Sequence, residues 1–292
     1  MNGISKILTP WMLAARPKTL PAAIGPVLVG SALAQHYQSF SWPIFLACGG
    51  LSLLLQIGAN FANDLFDFLK GADSTGRIGP QRAVASGWIT VHQMQTALIL
   101  VLTAALILGG WLATIGGPLF FLIGIFCVAA AILYTAGPFA LAYKGLGDIA
   151  VFIFFGLIAV GGTFFLHSRE LTLEALVAGT GVGAMITNIL VVNNMRDRHH
   201  DALSGKRTLA VRFGRGFCVN QYIFLLGIGY LCIVILAGVS PWALLTFLTL
   251  PFAVKRAREM IRLEGQELNN TLANTAKLVL AYSILLAAGL II

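Results

Sequence analysis

The strongest constraint on this chain is a succession of apolar runs, most of them about as long as a lipid bilayer is thick. Roughly 20 consecutive apolar residues cross the hydrocarbon core as a helix, and a spanning segment must satisfy its own backbone hydrogen bonds. Nine such runs occur, at residues 20–34, 44–62, 94–115, 119–136, 149–166, 173–192, 217–239, 241–254 and 272–292; the first and the eighth are the shortest. The expected fold is therefore all-α: a polytopic membrane protein of about nine transmembrane helices in a single bundle. No linker rich in Pro, Ser or charge interrupts residues 1–292, so one domain is expected. With 58% hydrophobic and 10% charged residues, the chain departs from the composition of soluble globular domains. Its 32 glycines suit close approach of helix backbones in lipid.

Charge placement orients the bundle. With the amino terminus in the cytoplasm and nine crossings, the Lys and Arg residues fall on the cytoplasmic side, Arg169 excepted. This is the positive-inside asymmetry. It predicts a multi-pass protein of the cell (inner) membrane with its carboxy terminus outside. The net charge of +8 thus reads as topology rather than as nucleic-acid binding. Three polar loops, 70–93, 143–148 and 196–215, share that side, and the opposite loops are short. Cys48, Cys127, Cys218 and Cys232 lie inside apolar runs; they have neither zinc nor disulfide spacing and are read as small core hydrophobes. The first fifteen residues, with Trp11, read as an amphipathic lead-in along the interface rather than a cleaved signal.

Against this background the six aspartates stand out. Asp64, Asp67 and Asp73 lie in AsnAspLeuPheAspPheLeuLysGlyAlaAsp, Asp148 stands alone, and Asp197 and Asp201 lie in AsnAsnMetArgAspArgHisHisAsp. Carboxylates near lipid are costly and rarely kept without partners. The two clusters close the second and sixth apolar runs on one membrane face, a hint of internal duplication. Asn63 and Asp67 are four residues apart, as are Asn193, Asp197 and Asp201, which puts each set on one helix face. Oxygen-only ligands suit a hard cation. Mg²⁺ commonly takes one or two carboxylates and completes its shell with substrate phosphate oxygens and water; zinc would call for His or Cys, and the adjacent His199 and His200 diverge on a helix. Helix capping by the same acids is the bland alternative, weaker for two clusters on one face than for one. Arg77 and Arg82 follow the first cluster, Lys206 and Arg207 the second. Bases beside acids are what a Mg²⁺–diphosphate complex needs, although topology alone would explain many of the chain's other cations.

These residues resemble the UbiA superfamily of intramembrane prenyltransferases, whose signature is an Asn/Asp-rich motif after the second helix and an Asp-x-x-x-Asp after the sixth. Both occur here, at 63–73 and 193–201, and the resemblance runs nearly the whole length. Within the superfamily the chain is most similar to the 1,4-dihydroxy-2-naphthoate polyprenyltransferases of menaquinone biosynthesis, through ArgProLysThrLeuPro at 16–21, GlyAlaAsp at 71–73, ArgIleGlyProGlnArg at 77–82, GlyLeuGlyAspIle at 145–149 and GlyLysArgThrLeuAlaValArgPheGly at 205–214. Where many relatives carry a third Asp four residues after Asp67, this chain has Gly71, with Asp73 two further on.

The resemblance implies an enzyme that transfers a polyprenyl group from polyprenyl diphosphate to 1,4-dihydroxy-2-naphthoate with loss of CO2 and diphosphate, giving demethylmenaquinol. It implies Mg²⁺ as cofactor, with Asn63, Asp64, Asp67, Asp73, Asn193, Asp197 and Asp201 as ligands. Asp64, Asp67, Asp197 and Asp201 would be catalytic, and Arg77, Arg82, Lys206 and Arg207 would hold the diphosphate. Arg16, Lys18, Tyr134, Tyr143, Lys144 and Asp148 would meet the acceptor; helix anchoring at headgroups is the other role open to Arg16 and Lys18. Expected partners are the two substrates and the bilayer, with neither nucleic acid nor an obligate protein partner. Another aromatic acceptor, such as 4-hydroxybenzoate or homogentisate, is the alternative within the family. A cation- or proton-coupled transporter is the distant one, disfavoured because transporter sites sit near mid-bilayer.

Overall fold

The computed structural model describes residues 3–72, 79 and 81–292, the side chains of residues 3–8 and 18 excepted. Asp73 and Arg77 lie outside the described residues. Ten helices follow in order: α1 Gly3–Ala15, α2 Leu20–His36, α3 Trp42–Leu69, α4 Val91–Gly116, α5 Pro118–Leu133, α6 Gly147–Ser168, α7 Leu173–Leu203, α8 Leu209–Leu236, α9 Leu250–Arg262 and α10 Leu268–Ile291. A 3-10 stretch, Pro241–Thr249, feeds α9.

All nine expected apolar runs are helical. Helices α3, α4, α6, α7 and α8, and the segment Gly265–Ile291 that contains α10, are long and apolar enough to cross a membrane; α5 is a shorter apolar helix. The chain is thus a multi-pass membrane protein. At 1.5 Å per residue, 31 residues make α7 about 46 Å long, well beyond the ~30 Å hydrocarbon core. It continues past the expected boundary at 192 to Leu203, and α3 continues past 62 to Leu69. Asp64, Asp67, Asp197 and Asp201 therefore stand on the protruding last turns of rigid helices.

The apolar interior falls into three groups. The largest joins α2, α6, α7, α8, α9 and α10. A second joins α1, α3, α4 and the 83–89 loop, and a third lies at the opposite end between α2, α3, α4 and Leu166. Hydrophobic burial cannot by itself hold helices together in lipid, so close backbone approach does much of the work. The contact of α6 with α7 shows it: a Cβ built on Gly156 would stand 2.6 Å from the Gly179 carbonyl oxygen and 2.7 Å from the Gly183 Cα. Here α6 winds as a π-helix over Phe152–Gly161, a form often found at functional sites. Helix α5 has no fully buried residue, although Val128 and Ile132 pack against the second group.

Candidate active site

A chamber of about 830 Å³ runs lengthwise between α2, α3, α4, α5, α6 and α7. Most of its wall is apolar: Leu51, Leu55, Leu106, Leu112, Phe120, Ile125, Val128, Phe154, Phe155 and Ile158 among others. The polar residues gather at the end where α3 and α7 protrude, and there both aspartate clusters meet.

From α3, Asp67 is buried at 2% exposure. Its Oδ2 accepts hydrogen bonds from Arg82 Nη2 at 3.0 Å and Lys206 Nζ at 3.2 Å, and its Oδ1 accepts from the Tyr143 hydroxyl at 2.8 Å. The Tyr143 ring lies beneath two ammonium groups, Lys70 at 4.2 Å and Lys206 at 5.0 Å from its centroid. Lys70 itself donates to the Thr135 and Gly137 carbonyls at 2.6 and 3.0 Å. Partial burial lowers its ammonium pKa from the ordinary value, Asp67 opposes that shift and Lys206 adds to it. Asp64 has a different occupation. Its two oxygens accept the backbone N–H groups of Ala83 and Val84 at 3.0 and 3.1 Å, tying the 81–87 loop to α3 so that Gln81 and Arg82 face the chamber. Asn63 Oδ1 accepts from the Thr135 hydroxyl.

From α7, Asp197 is gripped by its neighbour. Arg196 Nε and Nη2 donate to its two oxygens at 2.8 and 2.6 Å, a bidentate fork. The same guanidinium reaches Asn193 Oδ1 at 2.8 Å and Asn269 Oδ1, on α10, at 3.1 Å. Asp201, one helical turn on, is buried, lines the chamber and makes no side-chain hydrogen bond to another described residue. His200 Nε2 lies 3.0 Å from the Ala72 carbonyl oxygen and so links α7 to the end of α3. The wall near α2 is built by a polar net. Asn60 donates to the Ala15 carbonyl at 2.9 Å and to Thr19 Oγ1 at 3.3 Å, and Thr19 Oγ1 donates to the Arg16 carbonyl at 3.0 Å. This net holds Arg16 in the left-handed region, φ 52°, with its side chain on the chamber wall.

Of the residues expected from sequence, Arg16, Asn63, Asp64, Asp67, Arg82, Tyr134, Asn193, Asp197, Asp201 and Lys206 line one chamber. Tyr143 sits behind Asp67 rather than on the wall. Lys144 is exposed and its ammonium lies over the Phe139 ring at 5.8 Å. Arg207 is exposed too, its backbone bonded to Tyr143 and Arg212. Asp148 is buried off the chamber, accepting from Gln221 Nε2 at 3.1 Å. Arg196, Thr135, Asn60 and Asn269 were not anticipated. The sequence signal for Arg196 is its place directly before Asp197.

The arrangement can bind an anion and a hard cation side by side: buried bases and acids alternate across a few ångströms at the mouth of an apolar channel. Among the described residues no three Asp, Glu, His or Cys side chains converge closely enough to hold a metal unaided. Mg²⁺ commonly takes one or two carboxylates and completes its shell with phosphate oxygens and water. The Asp201 carboxylate on the chamber wall and the all-oxygen donor set fit Mg²⁺.

A family model described as the UbiA prenyltransferase family matches residues 23–285. The 1,4-dihydroxy-2-naphthoate octaprenyltransferase of Haemophilus influenzae is 36% identical, over 99% of this chain and 98% of that protein. The apo structure of a UbiA homolog from Aeropyrum pernix K1 superposes with a TM-score of 0.71 at 14% identity, covering 94% of this chain and 98% of the other. A UbiA homolog from Archaeoglobus fulgidus, solved bound to DMAPP and Mg²⁺, gives 0.59 at 14% identity, covering 95% and 99%.

Proposed function

We propose, because this chain belongs to the UbiA prenyltransferase family, that it transfers a polyprenyl group, octaprenyl in the relative cited, to 1,4-dihydroxy-2-naphthoate, releasing diphosphate and CO2 and giving demethylmenaquinol. The carrying observation is the meeting of both acidic clusters, Arg82 and Lys206 at one end of an otherwise apolar chamber. The 36% identity, over nearly the full length, to a 1,4-dihydroxy-2-naphthoate octaprenyltransferase supports the acceptor.

Asp67, Asp197 and Asp201, with Asn63 and Asn193, would hold Mg²⁺, which when bound supplies Lewis-acid charge to the diphosphate oxygens. Arg82 and Lys206 stand where the leaving diphosphate gains charge as its carbon–oxygen bond breaks. Donors fixed at that point favour the transition state over the ground state. Arg196 keeps Asp197 in one orientation, and Asp64 keeps the Arg82 loop in place; both are positioning roles. The apolar wall receives the isoprenoid chain and excludes water from the allylic cation. Arg16 is placed to hold the acceptor carboxylate, with Lys18 its neighbour on the same turn. The electron-rich ring attacks the allylic carbon, and loss of the carboxylate as CO2 restores aromaticity. The mouth faces the cytoplasm in this reading, in an inner membrane crossed by one bundle that serves as a single domain.

Purified protein supplied with one polyprenyl diphosphate, Mg²⁺ and, in separate reactions, 1,4-dihydroxy-2-naphthoate, 4-hydroxybenzoate and homogentisate tests the proposal by product mass. The naphthoate should yield the decarboxylated prenyl adduct, and chelation should abolish it. Product from either other acid alone, or undiminished turnover in chelator, would overturn the reading.

A further inference from the structure

Helix α9 carries a cationic site that the chamber does not use. Its buried face is Ala253, Arg256 and Met260. At about 100° per residue, Lys255, Arg258 and Arg262 fall together on the opposite side, with Pro251 between them. All three cations are exposed and line an open hollow of about 510 Å³ together with Pro251, Val254, Glu259 and Leu263. The nearest acid, Glu259, is already taken: Oε1 accepts from Arg256 at 2.7 Å and Oε2 from Thr271 at 2.9 Å. Among the described residues Lys255, Arg258 and Arg262 have no acidic partner. Like charges three and four apart on a helix repel one another, so this stripe calls for an external anion.

Its depth indicates which anion. The Glu259–Thr271 bond ties α9 to the start of α10, and two residues earlier Asn269 touches Arg196 beside Asp197. The cations therefore stand near the level of the polar mouth, at the membrane surface, while the stripe points away from the bundle. No residue of α9 lines the chamber. Phe252, Val254 and Ile261, also exposed, border the stripe with apolar surface. Cations at headgroup level beside apolar flanks match a phosphate carrying acyl chains.

We propose that Lys255, Arg258 and Arg262 bind the phosphate headgroup of an anionic phospholipid, whose chains lie along Val254 and Phe252. The test places the protein in nanodiscs of phosphatidylcholine alone or doped with phosphatidylglycerol, and follows acylation of Lys255 by an amine-directed reagent together with Tm. Lys144, exposed on the same face, is the internal control. Phosphatidylglycerol should slow Lys255 acylation at least about tenfold more than that of Lys144, as the loss of three surface attractions would imply, and should raise Tm. Arg258→Gln/Arg262→Gln should remove both differences. Equal protection of the two lysines in the wild-type protein would reduce the effect to general surface charge and overturn the site, without relying on any variant's folding. So would inorganic phosphate in phosphatidylcholine discs protecting Lys255 equally, or a double variant that keeps the full response.

Discussion

Replacing Asp67 by Asn removes one charge and changes almost no volume, so it isolates what the carboxylate does. Two cations depend on it, Arg82 at 3.0 Å and Lys206 at 3.2 Å, and Tyr143 donates to its other oxygen at 2.8 Å. An asparagine that keeps its carbonyl toward Tyr143 turns its NH2 on the two cations, donor against donor. Each charge-assisted hydrogen bond contributes about 1.5–3 kcal/mol. Lys206, with a side chain 16% exposed, can recover water, whereas Arg82, at 6%, stays buried. The Arg82 term dominates, and the fold should lose about 3 kcal/mol, the low end for breaking a buried pair. Turnover should fall by at least about a hundredfold, roughly 2.7 kcal/mol of transition-state stabilisation. The assay is single-turnover prenyl transfer on the monodisperse fraction at saturating substrates and Mg²⁺, with Tm measured on the same sample. The drop in Tm reports the ion pair and the drop in rate reports the chemistry. A variant within about threefold of wild-type turnover would refute the role given to Asp67, whatever its Tm.

Three further outcomes follow from the geometry. Arg196→Lys keeps the charge but not the fork that spans Asp197, Asn193 and Asn269; kcat should fall about tenfold and the Mg²⁺ concentration for half-activity should rise, by analogy with the orienting groups around metal ligands, and an unchanged Mg²⁺ titration would rule the positioning role out. Gly156→Ala drives a methyl into the α7 backbone and should cost about 1–3 kcal/mol, while Gly124→Ala meets nothing within 4 Å and should be neutral; equal Tm for the two would contradict the close α6–α7 contact. In intact cells a membrane-impermeant thiol reagent should label Glu170→Cys and spare Lys144→Cys, both exposed positions; the reverse would invert the orientation.

The bundle was legible in the sequence because hydropathy over about 20 residues is set by the lipid and needs no knowledge of neighbours. The aspartate clusters were legible for the same reason: acids are conspicuous against lipid. What could not be read was where long side chains turn. Arg196 and Arg198 carry the same charge two residues apart, yet Arg196 is buried against Asp197 while Arg198, only partly buried, meets His199. Lys206 and Arg207 are adjacent in one loop, and only Lys206 reaches Asp67. Positive-inside counting assigns all four to a side of the membrane and none to a partner. Asp148 shows the converse: its position in a polar loop suggested substrate contact, but the first turn of α6 points it at Gln221 on α8. Asp64 looks like Asp67 in sequence, and the loop that folds back over α3 adds the backbone amides of Ala83 and Val84 to its surroundings.

The contrast between the chamber's charged mouth and its apolar length has a consequence for what happens after the bond is made. Each proposed substrate arrives with one anionic handle, a diphosphate or a carboxylate, and Arg82, Lys206 and Arg16 stand where those handles would be gripped. The reaction removes both. The joined product is a neutral quinol with a long hydrocarbon tail, so the basic residues that captured its parents have nothing left to hold. Diphosphate and CO2 favour water, and the quinol favours lipid. Affinity is thus erased by the very step it promotes.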